Sequence, residues 1–281
     1  MVNINSNYAA SFAANAAKQK MSALDSAMER LSTGKRINYS RDDAAGQAIS
    51  VRLTAEIQGL AVAARNAADG QSMVDTADGA LQETQALLLR MRELAVQASN
   101  GTLGDADKAA LEVEAGSLEA EIKRISDNTS WAGKKLLDGS FSGDMSANTR
   151  TLQIGTTEGE TIELSIPEMT ATAATIGYSV AHSIGSFTGA QSAIGSIDAA
   201  LSGVAEVRGK LGGISNRLDS TIANLNQVRV NLAASKGRIE DTDFAAETGN
   251  LAKYQILQQA ATAMIAQANA SKNTVLNLLR N

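Results

Sequence analysis

The stretch Ala13-Ala14-Asn15-Ala16-Ala17-Lys18-Gln19-Lys20-Met21-Ser22-Ala23-Leu24-Asp25-Ser26-Ala27-Met28-Glu29-Arg30-Leu31 decides the fold. Within it Ala14, Ala17, Met21, Leu24, Met28 and Leu31 recur at alternating spacings of three and four, and Ala10 extends the row backwards. Tyr254, Leu257, Ala261, Met264, Ala268, Ser271, Val275 and Leu278 repeat the pattern at the other end of the chain. A seven-residue repeat keeps one seam of a helix facing a partner helix. About half of each seam is Ala or Ser, so each helix buries little by itself and needs neighbours. Helices at opposite ends of one chain are suited to pair with each other, and the pair is then suited to pack against other copies.

Outward from these ends, the first helix is expected from about Asn7 to Thr33, with Gly34 supplying the left-handed residue that often ends a helix. Ser40-Arg41-Asp42-Asp43 reads as a capping box that opens a second, long helix. Its stripe runs Leu53, Ile57, Leu60, Ala64, Ala67 and then Val74, Ala77, Leu81, Thr84, Leu88, Met91 and Ala95, ending at Asn100-Gly101-Thr102. A third helix is expected from about Asp105 to Asn128, on Leu111, Ala115, Leu118, Ile122 and Ile125. Thr151–Ile154 and Thr161–Ile166 alternate with period two around a polar turn, the pattern of a β-hairpin. Helical spacing returns from Ile197 to Leu232, and Asp243 is placed to cap the last helix. The expected class is mainly α: a long helical bundle or coiled coil formed by both chain ends, with a small hairpin in the middle. Residues 1–42 with 236–281 form one discontinuous domain in this reading. Residues 43–235 form the second, with the hairpin at about 150–166 and a short irregular segment at 167–190.

Composition narrows the function. Among 281 residues there is no cysteine, one proline and 3% aromatic residues. The missing cysteines exclude disulfides and thiolate chemistry. The net charge of −5 is unevenly spread: residues 1–41 carry +4, residues 235–281 carry +1, and the middle carries −10. Basic ends without interleaved aromatics are not a nucleic-acid footprint. The first residues have neither a basic nor an apolar signal region, and no apolar run is long enough to span a bilayer. No cleaved leader and no membrane insertion are therefore expected. The lone histidine, His182, lies in a Gly/Ser/Thr-rich segment, and a zinc protease motif needs two histidines one turn apart beside a glutamate. The Asp42-Asp43 and Asp241/Asp243 carboxylates sit at expected helix starts, where they complement the helix dipole. Neither an enzyme, a cofactor site nor a metal site is expected.

Several ordered motifs then match one family. Leu31-Ser32-Thr33-Gly34-Lys35-Arg36-Ile37-Asn38 and Asp42-Asp43-Ala44-Ala45-Gly46-Gln47-Ala48-Ile49 resemble the N-terminal signature of bacterial flagellin. Arg65-Asn66-Ala67-Ala68-Asp69-Gly70 and Met91-Arg92-Glu93-Leu94-Ala95-Val96-Gln97 continue it, and Arg238-Ile239-Glu240-Asp241-Thr242-Asp243-Phe244-Ala245 resembles the C-terminal junction. The short middle makes the resemblance one to a minimal flagellin, without large outer domains. The resemblance implies a structural subunit of the flagellar filament that self-assembles through its terminal helices for motility. It implies type III export without a cleaved signal peptide, an export chaperone on the C-terminal helix, contacts with cap and junction proteins, and an extracellular location. It also places Arg90, Leu94 and Glu114 where flagellins meet an animal toll-like receptor in innate immune recognition. The alternatives are a hook–filament junction protein of the same apparatus and a signalling coiled-coil module. The expected β middle counts against the latter.

Overall fold

A computed structural model describes residues 6–141, 149–169 and 184–279, and the side chains of these up to Ser271. His182, much of the 167–190 segment, and the side chains of Val275 and Leu278 lie outside the described residues. The element order is α1 (Tyr8–Thr33), α2 (Ala44–Ala98), α3 (Asp105–Asn128), β1 (Ser130–Trp131), β2 (Lys134–Lys135), β3 (Thr149–Gln153), β4 (Thr161–Ser165), α4 (Phe187–Glu240) and α5 (Phe244–Leu279). The chain divides into two compact units, residues 1–57 with 230–281 and residues 58–229. Both divisions fall inside helices, α2 and α4, later in α2 and earlier in α4 than the change of sequence pattern at 42/43 and 235/236.

In the terminal unit α1 packs against α5. The pair is antiparallel: the Asn7 amide donates to the Ala268 carbonyl at 3.3 Å and to Asn269 Oδ1 at 3.1 Å, while Arg30 faces Glu247 at the other end. Asn7 caps α1 by accepting from the Ala10 N–H at 3.1 Å, and Gly34 ends it at φ +71°, its N–H donating to the Arg30 carbonyl. The expected Ser40 cap of α2 is displaced. Asp43 takes that role, accepting from the Gly46 N–H at 2.8 Å, so the helix begins at Ala44. The Asp42 carboxylate instead folds the preceding loop, accepting from the Asn38 and Tyr39 N–H groups at 3.1 and 2.9 Å. Asp243 caps α5 as expected, accepting from the Ala245 and Ala246 N–H groups.

The second unit holds the larger core. Leu81, Leu88, Met91 and Leu94 of α2 pack in one cluster with Ile197, Val204, Leu211 and Leu218 of α4 and with Ile122 of α3. Burying side chains of this size stabilises by about 1.5–3 kcal/mol each. Polar pairs tie α2 to α4 in antiparallel order: Gln71 to Asp219 at 2.8 Å, Asp78 to Arg208 at 2.8 Å, and Arg92 to Asp198 at 2.7 Å. The hairpin pairs Thr149 with Ser165 through to Gln153 with Thr161. Ile162 and Leu164 face the core and alternate with exposed Thr161, Glu163 and Ser165, which is why period two was legible there. A second hairpin, β1–β2, was not expected. Its two-residue turn, Ala132-Gly133, has φ +49° and +77°, the pair of left-handed residues that a tight hairpin turn requires.

Candidate functional site

The α1–α5 pair has a thin core. Only Ala13, Leu24 and Ala27 of α1 are buried, and no residue of α5 from Thr248 to Ser271 is. The expected seam divides. Leu24 is buried and Ala17, Leu31, Tyr254, Leu257, Ala261 and Ala268 are half-buried, but Ala14, Met21, Met28 and Met264 are exposed. Ala13 and Ala27 are buried one position before the expected Ala14 and Met28.

Several large apolar side chains of the pair are left in solvent. Tyr8 is 73% exposed, Phe12 79%, Ile256 65% and Met264 63%. Tyr8, Phe12 and Ile256 lie off the seven-residue stripe, and only the i, i+4 spacing of Tyr8 and Phe12 signals that α1 has a second apolar side. Exposed apolar patches of this kind are commonly found where proteins associate.

At the far end of the pair, a clasp joins the loop after α1 to the end of α4. The Arg36 N–H donates to the Glu240 carbonyl at 2.7 Å and the Thr242 N–H to the Gly34 carbonyl at 3.0 Å. The Arg36 guanidinium donates to the Ile239 carbonyl at 2.7 Å. The Glu240 side chain is the centre of the clasp: Lys35 Nζ lies 2.5 Å from Oε1, the Ser50 hydroxyl donates to Oε2 at 2.7 Å, and Lys236 stands 3.5 Å away. The Lys35 hydrogen bond, against opposing burial, holds the Glu240 carboxyl below its usual range; Ser50 and the charges of Lys236 and Lys35 add to this. The same contact raises Lys35. Strand-like pairing of Lys35 with Asp241 completes the clasp. The motif quoted at both sequence junctions is thus one local structure, assembled from residues 203 positions apart.

The three residues suggested for receptor contact separate. Arg90 and Glu114 meet on the surface at 2.8 Å, and Glu93 adds a second carboxylate at 2.9 Å, which together raise the guanidinium's pKa. Leu94 is 1% exposed and belongs to the core, because it lies three residues after Met91 and four before Ala98 on the buried stripe. It presents no surface beside Arg90. Among the described residues no cluster of His, Asp or Glu is arranged to hold a metal ion, and no helix is long and apolar enough to cross a membrane.

The geometry is that of a known family. The model of the bacterial flagellin N-terminal helical region matches residues 4–142, and that of the C-terminal helical region matches residues 194–279. Flagellin of Halalkalibacterium halodurans is 46% identical over 254 residues, covering 90% of this chain and 91% of that protein. Flagellin of Bacillus subtilis is 40% identical over 304 aligned residues, covering 99% of each. Among solved structures, Bacillus cereus flagellin aligns at 28% identity with a TM-score of 0.50, over 61% of this chain and 94% of its own. A putative flagellar hook-associated protein from Vibrio parahaemolyticus aligns with a TM-score of 0.60 over 71% of this chain and all of its own, but at 17% identity it shares the fold alone. The paired terminal helices, the clasp built from both junction motifs, and these similarities have one reading: the chain belongs to the bacterial flagellin family.

Proposed function

We propose that this chain polymerises through its α1–α5 pair. As a flagellin it is a structural subunit of the bacterial flagellar filament, which is extracellular; the site of polymerisation is the inference. The observation that carries it is the mismatch on the pair: three small or medium side chains buried in α1, and Tyr8, Phe12, Ile256 and Met264 left 63–79% exposed. Ala14, Met21 and Met28 are exposed as well, on the other flank of α1 from Tyr8 and Phe12. Other copies of the chain are its occupants, because a homopolymer supplies the missing burial without a separate partner. The C-terminal helix is also the segment an export chaperone would cover before assembly, and the cap and junction proteins would meet the same surface at the filament's ends. Replacing Phe12 and Ile256 by Asp tests this. Both are exposed, so the free subunit keeps its helical signal, while elongation on filament seeds is lost. Normal elongation by the double variant would overturn the reading.

We infer that receptor recognition by this chain rests on the exposed Arg90–Glu114 pair and not on the buried Leu94. Loss of receptor signalling by soluble Arg90→Ala or Glu114→Ala subunits supports that; full signalling by the double variant removes it.

A further inference from the structure

The methionines among the described residues fall into two populations. Met73, Met91 and Met169 are at most 4% exposed and lie in the core of the second unit. Met21, Met28 and Met264 are 53%, 47% and 63% exposed and all lie on the α1–α5 pair. Met1 and Met145 are outside the described residues. Met21 and Met28 are seven residues apart, two turns along one side of α1. The chain has no cysteine, so no thiol competes for an oxidant.

We propose that Met21, Met28 and Met264 are oxidation-sensitive positions on the α1–α5 pair whose state controls whether a free subunit can join a polymer. The reactant class is a peroxide. A sulfur lone pair attacks one peroxide oxygen, the O–O bond breaks, and the thioether becomes a sulfoxide as hydrogen peroxide leaves as water. Sulfur is oxidised by two electrons and the peroxide is reduced by two. The product is polar where the side chain was apolar and flexible, which disrupts methionine-rich contacts. A sulfoxide at these positions costs the free subunit little, because water solvates it. In a subunit contact the same oxygen needs a donor that an apolar surface does not offer. These positions are therefore open before assembly and shielded after it, and they discriminate damaged subunits from sound ones at the step of joining.

The inference rests on polymerisation through the α1–α5 pair, and the experiment separates the two. Free subunits are treated with dilute hydrogen peroxide, quenched with free methionine, and mapped by peptide mass spectrometry. Sulfoxide is expected at Met21, Met28 and Met264 at least about tenfold faster than at Met73, Met91 and Met169. Elongation on seeds by the treated protein is expected to fall about tenfold and to return after incubation with methionine sulfoxide reductases of both stereospecificities. The M21L/M28L/M264L variant, referred to its own untreated rate, is expected to lose its peroxide sensitivity. Preformed filaments are expected to be protected at the same three positions. Uniform oxidation of all six methionines, or unimpaired elongation by subunits oxidised at the three, would overturn the inference while leaving polymerisation intact. Failure of untreated chain to elongate seeds would remove both.

Discussion

Glu240→Ala opens the clasp by an amount the structure sets. The carboxylate is 10% exposed and accepts the hydroxyl proton of Ser50, which is itself 5% exposed. Deleting the acceptor leaves a buried hydroxyl without its partner, at a cost of about 1–3 kcal/mol. Lys35 is half exposed and regains water, so its ion pair adds at most about 1 kcal/mol. A total near 2 kcal/mol raises the local opening constant roughly thirtyfold. Native-state amide exchange reads this at the Arg36 and Thr242 N–H groups, whose acceptors are the Glu240 and Gly34 carbonyls. Glu240→Gln keeps an acceptor for Ser50 and is expected to lose about fivefold protection instead. Adding Ser50→Ala to Glu240→Ala removes the stranded hydroxyl and is expected to restore most of the lost protection. Acid acts in the same sense. The Glu240 carboxyl is depressed below 4.5, so its contribution is complete above that pH and is lost as the pH falls through the folded-state value. Lys35 is raised above 10.5, so its share is complete below that pH and is lost as the pH climbs past the raised value. Exchange at Arg36 and Thr242 within about twofold of wild type in Glu240→Ala would refute the assignment of Glu240 as the centre of the clasp.

Other substitutions separate backbone, core and surface effects. Gly34→Ala keeps φ near +71°, and its Cβ would meet Phe244 Cζ at an ordinary 3.8 Å, so its cost is conformational alone: about 1 kcal/mol by denaturant unfolding. Leu94→Ala, made in the core of the second unit, is expected to cost about 2–5 kcal/mol, whereas Leu89→Ala, at a position 49% exposed, is expected to stay within about 0.5 kcal/mol. Similar unfolding midpoints for the two would contradict the burial of Leu94. Asp243→Ala removes the acceptor for two N–H groups at the start of α5 and is expected to cost about 0.5–2 kcal/mol, read as faster exchange at Ala245 and Ala246.

Local signals were legible wherever one short stretch carried the whole instruction. Asn7, Gly34 and Asp243 mark helix ends by side-chain and backbone chemistry that needs no partner far away in sequence. The third helix and the β3–β4 hairpin follow from periodicity, because their buried faces meet one core. The start of α2 was missed because Ser40 and Asp43 both offer cap chemistry, and the competing Asp42 interaction with Asn38 and Tyr39 holds the loop open. The β1–β2 hairpin was missed because two-residue strands show no alternation. The methionine seam was only partly legible for a different reason: spacing alone does not say whether a stripe faces its own chain or another copy, and here Leu24 is buried while Met21 and Met28 stay exposed. The clasp was invisible as a contact although both of its motifs were read, since nothing local links Lys35 to Glu240. Leu94 was grouped with Arg90 through the family resemblance, whereas the structure buries it with Met91 and Ala98.

Hydroxyl-radical footprinting of free and assembled full-length chain tests the central claim most directly. Tyr8, Phe12 and Ile256 are exposed in the subunit, and all three react quickly with radicals when in contact with water. Polymerisation through the α1–α5 pair predicts that their modification falls about tenfold or more on assembly, as expected of side chains moved from solvent into a packed contact. Equal modification of these residues in free subunits and in filaments would contradict it, and would move the assembly surface elsewhere on the molecule.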